Sequence, residues 1–277
     1  MRRSDGNGAL RVAVVSATTG TMAPAGNAML HGICKGFERF ESQCEIEPVF
    51  FDDACNPRRA SDIAKEIVNA NIKFVIGHLC SNATLAALNI FEDTNILTLT
   101  PAASSNWLRF GADHRRFRIC GTDAKQASVL INYAKTFYAT HRCILVSERG
   151  STGESQTAEI LRYASPVCHF DVVDGSFDPN RAFARLAIDG PVAVYYAGHD
   201  TTLMRQTLIA AASNFDDVVF LACEAGGNIN TEGLPSKTIS ILHHVMLRTG
   251  YGEDTSPYAL LGQAAVEVLF AVIANAE

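Results

Sequence analysis

The run Glu45-Ile46-Glu47-Pro48-Val49-Phe50-Phe51-Asp52-Asp53-Ala54-Cys55-Asn56-Pro57 decides the fold. Glu45–Phe51 reads as a strand. Asn56-Pro57 reads as a helix start: a cap residue, then proline at the first helical position, where no backbone N–H is needed. Ala60, Ile63, Ala64, Ile67 and Val68 recur at helical spacing and form one apolar stripe. Lys73–Ile76 then opens another strand. Strand, helix and strand in succession predict an α/β fold with a parallel sheet.

The same alternation runs along the whole chain. Strand-like runs are Leu10–Val15, Glu45–Phe51, Lys73–Ile76, Ile96–Leu99 and Phe117–Ile119, then Cys143–Val146, His169–Val173, Val192–Tyr196, Val218–Leu221 and Ile239–Leu242. Several are continuously apolar, as expected of parallel strands covered on both faces. A further helix is predicted from Asp123, with Gln126 completing a capping box and Ala127, Leu130, Ile131 and Ala134 as its stripe. The chain has 277 residues, enough for one large domain or two ordinary ones at about 100–200 residues each. Two sheets of five strands fit that length, with a break near Cys120-Gly121-Thr122.

Composition excludes several classes. Hydrophobic residues are 48% and charged residues 19%, which supports a full core and excludes disorder. The formal charge is −6, from 23 Lys+Arg against 29 Asp+Glu. Without a basic stripe, a nucleic-acid partner is not expected. The apolar stretch Ala264–Ala274 contains Glu267 and is too short to span a bilayer, so no direct membrane insertion is expected. No secretory leader is recognisable after Met1-Arg2-Arg3. The eight cysteines include no Cys-x-x-Cys pair, and most are bracketed by apolar residues, so at least five read as small buried hydrophobes.

In open α/β sheets, ligands bind beyond the carboxyl ends of the strands. The loops there are asymmetric. Those of the first half are rich in hydroxyls and small residues. Those of the second half, such as Ser147–Gly153, Ala197–Asp200 and Cys223–Asn228, carry the charges and a histidine. Ser81 and Ser104 stand where a helix or turn begins, a place that binds an anion through backbone N–H groups, a hydroxyl and the helix dipole. Glu224 follows an apolar strand and is suited to an ammonium group. Together they describe a site for an α-amino acid. Singly, each serine reads as a helix cap and Glu224 as a surface acid.

These residues carry a family likeness. Phe51-Asp52-Asp53-Ala54-Cys55-Asn56-Pro57, Phe74-Val75-Ile76-Gly77-His78-Leu79-Cys80-Ser81 and Leu99-Thr100-Pro101-Ala102-Ala103 resemble the leucine/isoleucine/valine-binding protein family, the type I periplasmic solute-binding proteins of ABC transporters. Order and spacing agree over roughly residues 10–155. The likeness continues more weakly through Tyr195-Tyr196-Ala197-Gly198 and Cys223–Asn228.

The resemblance implies two Rossmann-like lobes with a ligand cleft between them, residues 1–120 plus 246–277 forming one and 121–245 the other. It implies that Ser81 binds a ligand carboxylate, that the Ala102 carbonyl and Glu224 bind the ammonium, and that Ser104 contacts both ends. It implies that Leu79 and Cys80 line the side-chain pocket and that Cys55 and Cys80 form a disulfide. The other six cysteines have no counterpart and, in an oxidising compartment, need burial. Ligand binding by hinged closure, presented to a membrane permease, is the implied mechanism.

The sequence departs from the family in the side-chain pocket. Ala25, Thr152 and His199 stand where aromatic residues are usual, with Asp200 next to His199. Losing three rings opens the pocket and makes it more polar, so a side chain larger or more polar than those of Leu, Ile or Val is expected, met by His199 and Asp200. The alternative leaves His199 facing solvent. The chain also stops before the family's third crossing between lobes, so a looser hinge is expected. No catalytic or metal-binding pattern is recognisable, so neither an enzyme nor a cofactor is expected, and His243-His244 would face opposite sides of a strand. The family implies a periplasmic location, the unrecognised leader a cytoplasmic one. A cytoplasmic amino-acid or amide sensor of the same fold, acting on a partner protein, is the competing reading.

Overall fold

The computed structural model describes residues 9–40, 45–108, 115–173, 175–223, 226, 229–244 and 256–274. The chain divides into two compact units. The first comprises Met1–Ser104, Leu108–Gly121 and Thr249–Glu277, the second Ser105–Trp107 and Thr122–Arg248.

The first unit contains β1 (Leu10–Ser16), α1 (Ala23–Phe40), β2 (Ile46–Asp52), α2 (Pro57–Asn69), β3 (Phe74–Ile76), α3 (Ser81–Phe91), β4 (Leu97–Thr100) and β5 (Arg116–Arg118). Its sheet is parallel in the order β2-β1-β3-β4-β5. Alternation along β1 builds a core on each face. Ala13 and Val15 pack with Ile63, Ile67, Leu88 and Phe91 of α2 and α3. Val12 and Val14 pack with Met29 and Ile33 of α1 and with Val266, Leu269 and Phe270 of α9 (Pro257–Ala274). Burying each such side chain stabilises by roughly 1.5–3 kcal/mol. The chain's last described helix is thus fixed against its first. Phe40 stacks on Phe270 at 4.6 Å, and Arg39 pairs with Glu267 at 3.0 Å.

The second unit contains α4 (Asp123–Phe137), β6 (Arg142–Glu148), α5 (Ser151–Tyr163), β7 (Cys168–Val172), α6 (Pro179–Phe183), β8 (Val192–Ala197), α7 (Thr201–Asn214), β9 (Val218–Ala222), α8 (Ser236–Ser240) and β10 (Leu242–His244). Its parallel order is β10-β9-β8-β6-β7, the same pattern as the first sheet when strands are counted from β6. Strand β8 is buried along its whole length. Its Val194 and Tyr196 face Met204 and Leu208 of α7. Its Ala193 and Tyr195 face Leu130 and Ile131 of α4.

The helix start at Asn56 is as the sequence predicts: its side chain accepts the Arg58 and Arg59 N–H groups at 2.9 and 3.1 Å. Three local readings need correction. Thr122, not Asp123, caps α4, through the Lys125 N–H at 3.1 Å, and Asp123 is buried in the first turn. The apolar run at Ile239 is not the tenth strand. Pro235 initiates the short helix α8, Ile239 is left exposed, and the ladder with β9 begins only at Leu242. The cysteines are less buried than their apolar neighbours suggest: Cys223 is buried, but Cys34, Cys120, Cys143 and Cys168 are only partly so, and Cys44 lies outside the described residues. Burial nonetheless pushes the Cys143 thiol up to about 12 and those of Cys34 and Cys168 upward, which keeps all three protonated and poorly nucleophilic.

Candidate ligand-binding site

Strand order 2-1-3-4-5 has its topological switch between the first and third strands, and the crevice at their carboxyl ends is the expected ligand position. In the first unit that point lies between β1 and β3, and in the second between β6 and β8. Leu79, Cys80 and Ser81 follow β3. Thr152 follows β6, and His199 follows β8. Ala102 and Ser104 follow β4, the next strand along.

The first unit's loops are built by two adjacent aspartates. Asp52 Oδ1 accepts N–H groups from Thr18 (2.9 Å) and Ala54 (3.0 Å). Its Oδ2 accepts the Thr19 hydroxyl at 2.6 Å and Arg59 at 3.1 Å. Partial burial pushes the Asp52 carboxyl up. The Thr19 hydroxyl, the Ala54 and Thr18 amides and Arg59 together outweigh it and hold the group at about 2. Asp53 Oδ1 accepts the Cys55 N–H at 2.8 Å. Ala54 and Cys55 sit at φ of 49° and 56°, a region rare for residues with a Cβ, and each donates its N–H to the aspartate two residues earlier. The Asp-Asp-Ala-Cys string is therefore a turn written in side-chain hydrogen bonds.

Cys55 and Cys80 form a disulfide, with Cα atoms 5.4 Å apart. Cys80 is also the N-cap of α3 and makes no side-chain cap hydrogen bond. Ser81 is the first residue of that helix and is largely buried. Leu79 is buried in the core on the α1 and α9 face of the sheet, against which Cys55, Cys80, Ala102 and Ala25 also pack. Ala25 is in the first turn of α1, not in a loop. Gly77, with φ of 137°, makes the approach of this loop possible. A Cβ there would lie 2.2 Å from the Val15 carbonyl oxygen. Ser104 is held from β5: Arg118 donates to the Ser104 carbonyl at 2.7 Å and to that of Leu108 at 3.1 Å.

In the second unit one carboxylate organises the loops. Glu148, the last residue of β6, accepts the Tyr196 hydroxyl, the His199 N–H at 2.9 Å and the Asp200 N–H at 2.8 Å. Burial first, then Glu148 and Asp200, pushes the Tyr196 hydroxyl far above its ordinary value, so it stays a donor. Gly198 clears the way, since a Cβ there would lie 2.2 Å from the Glu148 carboxyl carbon. Thr152 is nearly buried in the first turn of α5. His199 is exposed as a residue, while burial around its ring pushes the imidazole below its ordinary value against the pull of Glu148. Asp200 has a structural role beside the one expected of it. It is the N-cap of α7, its Oδ1 taken by the Thr202 and Leu203 N–H groups at 2.9 and 3.0 Å. Glu224 lies outside the described residues, as do Ala225, Gly227 and Asn228.

Sequence reasoning missed Glu148, Arg118, Asp53 and His78 as organising groups. Each stands at or just past the carboxyl end of a strand, which is the signal that marks them. His243 and His244 lie on β10, as the strand reading requires. His243 is hydrogen-bonded between the hydroxyls of Tyr133 and Tyr138, at 3.1 Å to each. Among the described residues, no helix is long and apolar enough to cross a membrane, and no group of three or more His, Cys, Asp or Glu is arranged to hold a metal ion.

Comparison with known proteins gives this architecture a context. The family described as "Periplasmic binding protein" matches residues 9–220. The leucine-, isoleucine-, valine-, threonine- and alanine-binding protein of Pseudomonas aeruginosa is 27% identical over 79% of this chain and 61% of its own length. The Leu/Ile/Val-binding protein of Citrobacter freundii is 29% identical over 83% of this chain and 65% of its own. This chain therefore spans less than two thirds of the relatives it matches. The solved leucine-binding protein of Thermotoga maritima superposes with a TM-score of 0.81 at 18% identity, over 96% of this chain and 83% of that one, a likeness of fold.

Proposed function

The chain belongs to the periplasmic binding protein family, and on that footing we propose that it binds an α-amino acid for an ABC transporter. One observation carries the reading: the Cys55–Cys80 disulfide ties the loop after β2 to the start of α3, where Leu79, Cys80 and Ser81 follow one another. The ligand carboxylate sits at that helix start, where Ser81 and the helix dipole favour an anion. The Ala102 carbonyl, Ser104 and Glu224 take the ammonium. The ligand-bound form is the signal read by a membrane permease in the periplasm.

The side chain of the ligand is larger or more polar than those of Leu, Ile and Val. Support comes from Ala25, Thr152 and His199 in place of rings. Asp200 caps α7 through Oδ1, which leaves Oδ2 for a polar ligand group. Thermal-shift and calorimetric titration with a panel of amino acids test the proposal. Binding at 100-fold excess over Kd stabilises by about 2.7 kcal/mol. Ser81→Ala should weaken binding by about tenfold through the lost charge-assisted hydrogen bond. No response to any amino acid sinks the reading. Tight leucine binding with no response to larger ligands sinks the side-chain part alone.

A further inference from the structure

Asp53 and His78 are both 0% exposed, and Asp53 Oδ2 lies 2.5 Å from His78 Nδ1. Neither belongs to the contacts proposed for the ligand. Their own contacts reach four loops. The Asp53 N–H donates to the Ser16 carbonyl at 3.1 Å, after β1. Asp53 Oδ1 accepts the Cys55 N–H, after β2. His78 itself follows β3 and immediately precedes Leu79, Cys80 and Ser81. The Thr100 hydroxyl, at the end of β4, donates to the His78 carbonyl at 2.9 Å and accepts the Ala103 N–H at 3.4 Å.

The chemistry of the pair is one-sided. His78 Nε2 is buried and has no hydrogen-bond partner among the described residues. A proton on Nδ1 satisfies Asp53 and leaves Nε2 a bare acceptor. A proton on Nε2 instead would strand a buried N–H and deprive Asp53 of its donor, so the first tautomer is the one that fits. Buried polar pairs of this kind add little net stability over an apolar replacement, but they fix one arrangement of the groups they join.

We infer that Asp53 and His78 are positioning residues for ligand binding: they hold the Leu79–Ser81 and Ala102–Ser104 segments in one spatial register, so that carboxylate and ammonium contacts fall on the same molecule. The inference rests on the amino-acid reading above. It is tested by titrating the full chain with L-leucine, L-threonine, L-phenylalanine and L-arginine and following the tightest of them in variants. In His78→Asn the amide nitrogen falls near the Nδ1 position and still donates to Asp53. In His78→Gln it falls near Nε2 and does not. Affinity should stay within about threefold in His78→Asn and fall by about tenfold or more in His78→Gln and Asp53→Asn, measured where each is folded.

Thr100→Val leaves the pair intact and removes only its link to the Ala102 loop. It should weaken binding by about threefold or more, and it decides the matter if the other variants do not fold. In wild type, the imidazole proton of His78 should give a deshielded, slowly exchanging NMR signal that shifts on ligand addition. A pair serving stability alone would keep the same signal in both states. Equal affinity in the Asn and Gln variants, or unchanged affinity in Thr100→Val, overturns the positioning role and leaves the amino-acid reading standing. If wild type binds none of the four, the reading itself fails and the positioning role goes with it.

Discussion

In the first unit the loops at the carboxyl ends of the strands are joined several times over: Asp52 to Thr18 and Thr19, Asp53 to His78, Cys55 to Cys80, and Thr100 to the His78 carbonyl. In the second unit, which has the same strand order, Glu148 alone collects the Tyr196 hydroxyl and the His199 and Asp200 amides. Topology therefore does not dictate how an α/β sheet secures its ligand loops. One lobe ties its loops directly to one another. In the other, among the described residues, Glu148 takes most of the links, joined by Gln156, which accepts the Gly198 N–H at 3.0 Å. The first should stay folded after loss of any one link, even where binding weakens, whereas the second should loosen locally when Glu148 goes.

The largest expected effect comes from a change that no redundancy can absorb. Gly77→Ala puts a Cβ against the Val15 carbonyl at a φ of 137°, and should cost about 4 kcal/mol or unfold the first unit outright, read by chemical denaturation. Cys55→Ser with Cys80→Ser removes a crosslink spanning 25 residues and should cost about 3 kcal/mol. The Asp52 and Asp53 links should nevertheless keep the unit folded, as seen in its circular dichroism.

Glu148→Ala should cost about 2 kcal/mol, since it leaves the buried Tyr196 hydroxyl only the Asp200 carbonyl at 3.3 Å and takes the acceptor from two loop amides. Faster amide exchange at His199 and Asp200, with exchange in the first unit unchanged, is the signature. If Glu148→Ala leaves those amides protected, the contrast between the lobes is wrong.

The smallest effect isolates one redundant link. The Asp52 carboxyl is held at about 2, below its ordinary 3.8. A depressed carboxyl contributes stability that is fully present above 3.8 and lost as pH falls through 2. With its side chain 17% exposed, the contribution is about 1–2 kcal/mol after allowance for solvent screening. Asp52→Asn should flatten the acid limb of a stability–pH curve over that window and change little at neutral pH beyond a small uniform offset.

The same contrast explains what could be read in advance. The strand–helix alternation was legible because several strands, β8 above all, are apolar throughout and helices such as α2 and α4 carry their own stripe. Asn56 was legible as a cap because its partners are two and three residues away. The first unit's loops were legible only as family strings; the bonds of Asp52 and Asp53 to amides two residues on were not read from them. Glu148 was not, because its partners lie 48, 51 and 52 residues away and nothing local in Ser147-Glu148-Arg149 marks it. The capping role of Asp200 went unread for the opposite reason. An acid beside a histidine drew attention as a ligand pair, and the two amides it holds at the start of α7 were passed over. Ile239 shows how four residues of apolar sequence fail to distinguish a short helix from a strand edge.

The packing of α9 on α1 also bears on the order in which the protein is made. The second unit is drawn almost wholly from one continuous stretch, Thr122–Arg248, whereas the first needs Pro257–Ala274 to cover Met29 and Ile33. On a ribosome, the segment synthesised first must wait with one face of its sheet uncovered until the last helix emerges. The middle of the chain can close its own core in the meantime. The lobe begun earliest gains this cover only after the middle of the chain is made, and its exposed half-core is the surface a chaperone would meet.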